Sequence, residues 1–210
     1  MFIIFDKQRF YAMARTKEFK EQEVLQKAVE VFWRKGYHAA SIEDITVGLG
    51  LSRSSLYDTF GSKKELLMAC LHQYTGKARQ ALHVIIDLPL TGEEKIHLLV
   101  KNVIEAFTTS TQQIGCFVVN IAAELASQDT EVHEFTQNNI EVVKNMFLQI
   151  ILQGQKDGTI THLHHAENLA YHFFNTYNGL QVSGKMGATQ EILWRMWETN
   201  NMIFKKNHVF

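Results

Sequence analysis

Apolar residues recur along most of this chain at the three- and four-residue spacing of amphipathic α-helices, and no stretch alternates as a β-strand would. The first such helix is predicted over about residues 19–35. One proline and few glycines leave room for long helices. We therefore predict an all-α protein of about nine helices, and beyond residue 62 they are expected at about 63–84, 93–110, 115–126, 130–155, 165–185 and 188–206.

Residues 42–66 predict two short helices joined by a tight turn and followed at once by another helix. Gly50 stands where the chain must turn sharply, because glycine adopts positive φ without steric cost. Ser52 is suited to be the N-cap of the second helix, and the S-x-x-E pattern at 62–65 predicts a capping box for the next. With Leu56 facing the core, the outward residues of the second helix are Arg53, Ser54, Ser55, Tyr57 and Thr59.

These residues, at these spacings, resemble the DNA-binding signature of the tetracycline-repressor (TetR) family. The resemblance covers about residues 24–71. Thr46 and Gly48 depart from it, since the family usually has alanines there. The positions that carry it are Ala28, Val31, Phe32, Gly36, Tyr37, Ile42, Ile45, Gly50, Leu51, Ser52, Ser55, Leu56, Tyr57, Phe60, Ser62, Lys63, Glu65 and Leu66.

The resemblance implies two domains. We place an N-terminal three-helix helix-turn-helix DNA-binding domain at residues 15–77 and a C-terminal helical ligand-binding and dimerisation domain at residues 78–210. Residues 1–14 are then an N-terminal extension with two open interpretations. Either the start codon lies too far upstream and the segment is disordered or absent in the cell, or the segment is a real arm whose aromatic residues pack against the protein.

Charge is distributed unevenly, although the net charge is only −1. Residues 1–77 carry 12 Lys+Arg against 9 Asp+Glu, whereas residues 78–210 carry 9 against 13. A mildly basic head on an acidic body fits a DNA-binding domain attached to a body with another task. Cys70 and Cys116 are too few for a disulfide framework or a metal cage, and no segment reaches the roughly 18 apolar residues of a membrane helix. We expect a cytoplasmic protein with reduced thiols and no membrane partner.

Double-stranded operator DNA is the first partner that the resemblance implies, with the outward face of the second short helix in the major groove. Arg53 is the best base-reading candidate on that face, because a guanidinium can bind guanine bidentately. Ser41, Tyr57 and Lys63 are expected to contact phosphates, which fix register more than sequence. Lys63 opens a helix, where amides and partial positive charge favour an anion.

A small-molecule effector is the second implied partner, bound inside the C-terminal helices. Apolar walls with a few polar groups are usual in such sites, yet plain core packing is the competing interpretation for every candidate. Asn120 and Glu124 are of most interest, because they lie one turn apart on an otherwise apolar helix. The candidate lining residues are Phe107, Phe117, Asn120, Glu124, Phe147, Phe173 and Tyr177.

A second copy of the chain is the third implied partner. The helices at about 165–185 and 188–206 are apolar on more than one side and therefore need a partner beyond their own domain. The resemblance implies that they pair with their copies in a four-helix interface, which would hold two DNA-reading helices about 34–36 Å apart. The competing interpretation is the core of a monomer.

The leading hypothesis is a dimeric transcriptional regulator, a repressor that a small molecule releases from a palindromic operator. No catalytic triad, phosphate loop or paired acid motif points to an enzyme, and no cofactor or metal is expected, although His162, His164, His165 and His172 cluster in the sequence. Two alternatives stay open. Cys116 could make the protein a thiol-based redox or electrophile sensor, or the protein could be a nucleoid-associated DNA-binding protein without a ligand switch.

Overall fold

The computed structural model describes the backbone of residues 7–109 and 114–206, and the side chains of residues 21–107 and 114–206. In those residues the chain is all-α, as predicted, with nine α-helices, one short 3-10 turn and no strand. Every helix in the described part of the chain is too short or too polar to cross a membrane. The elements are α1 (Lys7–Lys35), α2 (Ile42–Leu49), α3 (Arg53–Phe60), α4 (Lys63–Asp87), α5 (Gly92–Thr109), α6 (Phe117–Leu125), α7 (Thr130–Asp157), α8 (Ala166–Lys185), α9 (Gln190–Asn201) and the 3-10 turn Met202–Phe204.

The first helix is longer than predicted. It begins at Lys7 rather than near residue 19, so it takes in much of the predicted extension, residues 1–14. The physical reason is that residues 7–18 contain neither proline nor glycine, so nothing in that stretch interrupts a helix. Residues 1–6 lie outside the described residues, as do the side chains of residues 7–20.

The chain forms two compact units, residues 1–74 and 75–210, and the division falls inside α4. We predicted the boundary on the same helix, at residue 77. In the first unit, Phe32 of α1, Ile45 of α2, Leu56 of α3 and Leu66 of α4 are all buried in the core. Burying these apolar faces is what holds helices as short as α2 and α3 in place, because eight-residue helices are not stable alone.

Aromatic side chains fill the centre of the second unit. The rings of Phe147 on α7 and Phe173 on α8 meet edge to face with centroids 4.7 Å apart. Trp197 on α9 and Phe204 in the 3-10 turn complete the cluster, each about 6 Å from Phe173. Such pairs add specific geometry to the area they bury, so the cluster fixes the helices of this unit against one another.

A buried lysine joins three helices of the same unit. Lys95 on α5 is only 2% exposed, and its Nζ donates to the carbonyl of Ile86 and to Oε1 of Gln153, both at 2.6 Å. Gln153 on α7 in turn donates 2.9 Å to the carbonyl of Leu90. Because Ile86 lies in the last turn of α4, the ammonium also faces the partial negative charge of that helix end.

Two glycines let α5 approach α7 closely. A Cβ built on Gly92 would lie 2.3 Å from the Cα of Gly154, which is closer than atoms can pack. The carboxylate of Asp157 accepts from the Gly92 amide at 2.9 Å, and its other oxygen accepts from Thr159. These hydrogen bonds, largest among them that from the Thr159 hydroxyl, hold the pKa of Asp157 below its usual value although burial opposes them. The start of α5 is thus fixed to the end of α7.

Replacing Gly92 with alanine should destabilise the protein by about 1–3 kcal/mol, because the added methyl meets backbone that cannot move away easily. Urea unfolding of the purified chain would measure the loss. Gly76→Ala is the matched control, since a Cβ at Gly76 meets nothing within 4 Å and should stabilise α4 by about 0.4–1 kcal/mol. Equal behaviour of the two variants would contradict the close approach of α5 and α7.

Candidate functional site

The turn between α2 and α3 has the geometry that the sequence predicts. Gly50 adopts a left-handed backbone with φ 67°. Its amide bonds to carbonyls in the last turn of α2, and the amide of Leu51 donates 3.1 Å to Thr46. Ser52 then caps α3, with its hydroxyl accepting from the amide of Ser55 at 3.1 Å. The predicted turn and cap are both confirmed.

Six polar side chains of α3 are exposed, and groove contacts are predicted for all of them except Asp58. Leu56, at 1% exposure, faces the core as predicted. The hydroxyls of Ser54 and Ser55 lie 3.0 and 2.8 Å from Ser52 Oγ, so both belong to the cap network of the helix. The exposed residues of this face, for which groove contacts are predicted, are Arg53, Ser54, Ser55, Tyr57 and Thr59.

The hydroxyl and the amide of Ser41 are already hydrogen-bonded within the protein. It caps α2 in a capping box, in which its hydroxyl donates 2.8 Å to Asp44 and its own amide donates to the same carboxylate oxygen. The carboxylate also accepts from Lys35, and this bond, with those from Ser41, lowers the pKa of Asp44 to about 2. A contact from the Ser41 hydroxyl to a phosphate would therefore have to replace its bond to a carboxylate.

Lys63 opens α4, as predicted. Ser62 caps this helix by accepting from the amide of Glu65 at 3.1 Å, while its own amide donates to the carbonyl of Phe60. The predicted capping box is therefore only half formed. The Nζ of Lys63 lies 4.4 Å from the centre of the Tyr37 ring. The sequence places Tyr37 in the family signature but does not link it to Lys63, because the two residues are far apart in the chain.

The aromatic candidates for the effector pocket are mostly packed core. Phe117, Phe147 and Phe173 are completely buried. Tyr177 packs against both Phe147 and Phe173, and burial raises its pKa to about 12. Phe107, by contrast, is half-buried and lies against Gly184 on α8. Most of these residues therefore pack in the core, which is the competing interpretation given above. Their contact with a ligand stays a prediction.

The polar candidates on α6 are not buried. Asn120 and Glu124 are both partly exposed. Asn120 donates 2.7 Å to the carbonyl of Ile114 and accepts 2.8 Å from Nζ of Lys185 on α8. Sequence reasoning missed Lys185, since 65 residues separate it from Asn120. The only signal available was its place at the end of α8, where a basic residue is common.

The thiols differ sharply in their surroundings. Cys70 is buried on α4, 3.9 Å from the carbonyl of Leu25, and burial raises its pKa. Cys116 is partly exposed and stands at the N-cap of α6. The side chain of Lys185 lies against the neighbouring Gly115, with its Cβ and Cδ 3.3 Å from where a Gly115 Cβ would be. No basic residue adjoins Cys116 in the sequence, whereas the fold packs the stem of Lys185 against Gly115, with its ammonium bonded to Asn120.

The histidines do not assemble a cluster of ligands. His162 lies 2.8 Å from the carbonyl of Gln155, and the His172 ring packs against Phe204. Burial lowers the pKa of His172, with a hydrogen bond to the backbone of Asn200 acting against it. Within the residues that the structure describes, no three histidine, cysteine or acidic side chains come together as a metal site would need.

The last two helices carry exposed apolar side chains opposite their buried faces. Leu180 and Leu193 point into the core, whereas Val182 is 42% exposed and Met186 is 82% exposed. A Cβ at Gly179, also on α8, would meet nothing within 4 Å, so the surface there is open. The exposed apolar residues of the two helices and the following turn are Tyr171, Val182, Met186, Ile192, Met196 and Met202.

Comparison with known proteins gives two family matches. Residues 24–70 match the family described as bacterial regulatory proteins, tetR family. Residues 92–199 match the tetracyclin repressor-like C-terminal domain. The second match alone covers about half of the chain, and together they cover the helix-turn-helix and most of the second unit.

Individual relatives are regulators of the same kind. The chain is 28% identical over 148 residues to the uncharacterized HTH-type transcriptional regulator YezE of Bacillus subtilis (strain 168), covering 70% of this chain and 76% of YezE. It is 24% identical over 184 residues to the HTH-type transcriptional repressor ComR of Escherichia coli (strain K12), covering 87% of each. Among solved structures it is similar to a cysteine mutant of the TetR family regulator CifR in complex with 26-bp double-strand operator DNA, with 26% identity, a TM-score of 0.76 and coverage of 85% of this chain and 94% of CifR.

Replacing Gly50 with alanine should destabilise the protein by about 1–2 kcal/mol, because the native backbone there is left-handed. Nothing lies within 4 Å of a Cβ at this position, so the loss would report backbone conformation alone. Gly50→Asn is the control and should cost less, since asparagine tolerates this conformation. Denaturant unfolding measures both, and an equal loss for the two variants would argue against the conformational explanation.

Proposed function

Because this chain belongs to the tetR family of bacterial regulatory proteins and is a DNA-binding transcriptional regulator, we propose that it is a dimeric repressor released from a palindromic operator by a small molecule. The observation that carries the proposal is the exposed polar face of α3, supported on one buried leucine, Leu56, and presented by the turn at Gly50. ComR, a relative along most of both chains, is a repressor, and CifR binds operator DNA.

In this proposal α3 enters the major groove. Arg53 reads a guanine, and Ser54, Ser55 and Thr59 lie against neighbouring base edges or the groove wall. Tyr57, 41% exposed, and Lys63 at the start of α4 hold phosphates on either side. A phosphate contact from Ser41 would require its hydroxyl to leave Asp44. We therefore expect Ser41 to contribute least to DNA binding.

Dimerisation is proposed through the exposed apolar residues of α8 and α9. Val182 on α8 and Met186, which follows the last residue of that helix, are both exposed. The surface at Gly179 is open, and the absence of a side chain there would let a second helix approach. An isologous contact of this kind repeats the same surface on both copies. It would bring two α3 helices to successive turns of the duplex, as a palindromic operator requires.

The switch is proposed to run through α4. This helix begins with Lys63 in the first unit, and its last turn is bonded to Lys95 in the second. A ligand that favours one arrangement of α5 to α8 would alter the spacing of the two α3 helices, so DNA affinity would fall although the ligand touches no DNA. The partly exposed region around Asn120, Glu124 and Phe107 is the proposed entry. The buried Phe117, Phe147 and Phe173 and the partly buried Tyr177 would have to part to admit a ligand.

A thiol-based switch is the second candidate, favoured by the partial exposure of Cys116 and by the lysine packed against Gly115. Cys116→Ser separates the two: it should abolish release by an oxidant or electrophile and leave release by a metabolite intact. A DNase footprint tests both against an architectural role. A switch protects a short inverted repeat beside its own gene, whereas an architectural protein protects many sites and releases none.

Arg53→Ala should weaken operator binding by about 1–3 kcal/mol, equivalent to about 5- to 150-fold, if the guanidinium binds one guanine bidentately. Affinity for unrelated duplex should change far less, because the phosphate contacts remain. Fluorescence anisotropy with both duplexes at one salt concentration measures the difference. A uniform loss on both duplexes would mean that Arg53 contacts phosphate and not a base.

Val182→Lys should convert the dimer to a monomer at micromolar concentration, because the interface would have to bury an unpaired charge in each copy. Val84→Lys on α4 is the matched control: Val84 is 64% exposed, and the same substitution there should leave the dimer intact. Light scattering coupled to size-exclusion chromatography gives both masses. A dimer that persists in Val182→Lys would move the interface away from this part of α8.

A further inference from the structure

We propose that Tyr37 is a positioning residue for DNA binding, which holds the ammonium group of Lys63 at the start of α4 before the duplex arrives. The inference rests on the proposed function, in which Lys63 contacts a phosphate. We draw it from the position of the Lys63 Nζ, which lies over the face of the Tyr37 ring, 4.4 Å from the ring centre. A cation at that distance is attracted by the negative face of an aromatic ring.

Neighbouring residues fix the orientation of the Tyr37 ring. Gly36, with φ 80°, ends α1 and turns the chain so that Tyr37 folds back along it. The ring of Tyr37 is stacked on that of Phe32 at 6.1 Å with an angle of 25°, and Phe32 is buried. His38 meets the same ring edge-on at 5.5 Å. Tyr37 therefore offers a platform whose orientation is set by the core of the first unit.

A lysine side chain benefits more than most side chains from being held in place before it binds. It has four rotatable bonds, and ordering them on DNA costs conformational entropy. The α4 N-terminus, capped by Ser62, already favours an anion near Lys63. Contact with the ring thus orders the lysine side chain beside the helix start at which a phosphate is proposed to bind.

If the ring withheld the ammonium from the phosphate, weakening the contact would strengthen DNA binding. The sign of one measurement therefore decides whether Tyr37 presents Lys63 or competes for it.

The test changes the electrostatics of the ring and keeps its shape. Two duplexes of equal length are used. The unmodified protein selects the first from random sequence, and the second is unselected. Tyr37→Phe keeps the attraction and should bind both within about twofold of the original. A trifluorinated phenylalanine at position 37 removes the negative ring face. It should weaken binding to both duplexes by about two- to fivefold per subunit, or about four- to twenty-fivefold for a dimer.

The same series in a Lys63→Met background distinguishes positioning from packing. There, fluorination should have no further effect, because the cation that it acts through is gone. Lys63→Met alone should also make the plot of log affinity against log salt less steep. The change should be about the slope that one phosphate contact per subunit contributes. Thermal unfolding of each variant checks that the first unit still folds.

Each result bears on a different claim. Unchanged or tighter binding on fluorination, or an equal loss with and without Lys63, would overturn the role of Tyr37. An unchanged salt slope in Lys63→Met would instead overturn the proposed phosphate contact of Lys63. Absence of duplex binding by the unmodified protein at low salt would overturn the proposed function as a whole.

Discussion

The proposed DNA-binding surface depends on one backbone conformation, the left-handed turn at Gly50. It ends α2 and allows Ser52 to cap α3 two residues later. Since α3 has only eight residues and buries Leu56, its rotation about its own axis is fixed by the cap and by that one leucine. A shift of one residue in the turn would rotate α3 by about 100° and send Arg53 and Tyr57 toward different neighbours.

The second unit is constrained by polar bonds as much as by apolar packing. Lys95 bonds to α4 and α7 from a buried position on α5, and Asp157 fixes the start of α5 from the end of α7. A buried ammonium whose partners are a carbonyl and an amide oxygen tolerates little rearrangement, because each lost bond leaves a charge without solvation. Movement of α5 or α7 would therefore involve the last turn of α4 directly.

Local chemistry accounts for what the sequence predicted well. Glycines in turns and serines at helix starts act on their immediate neighbours, so the cap at Ser52 and the ends of most helices could be predicted directly. The start of α1 could not, because no residue interrupts a helix before residue 19. Contacts between distant residues, such as Lys95 with Gln153, Lys185 with Asn120 and Tyr37 with Lys63, leave no local signal.

The unequal burial of the two thiols has a practical consequence. Cys70 is enclosed by the core of the first unit and Cys116 is partly exposed. The unaltered sequence therefore has one cysteine that a maleimide dye or a spin label can reach without unfolding the protein. A label there would lie beside α8, where it could follow movements of the second unit by fluorescence or electron paramagnetic resonance, with no engineered cysteine to disturb the structure.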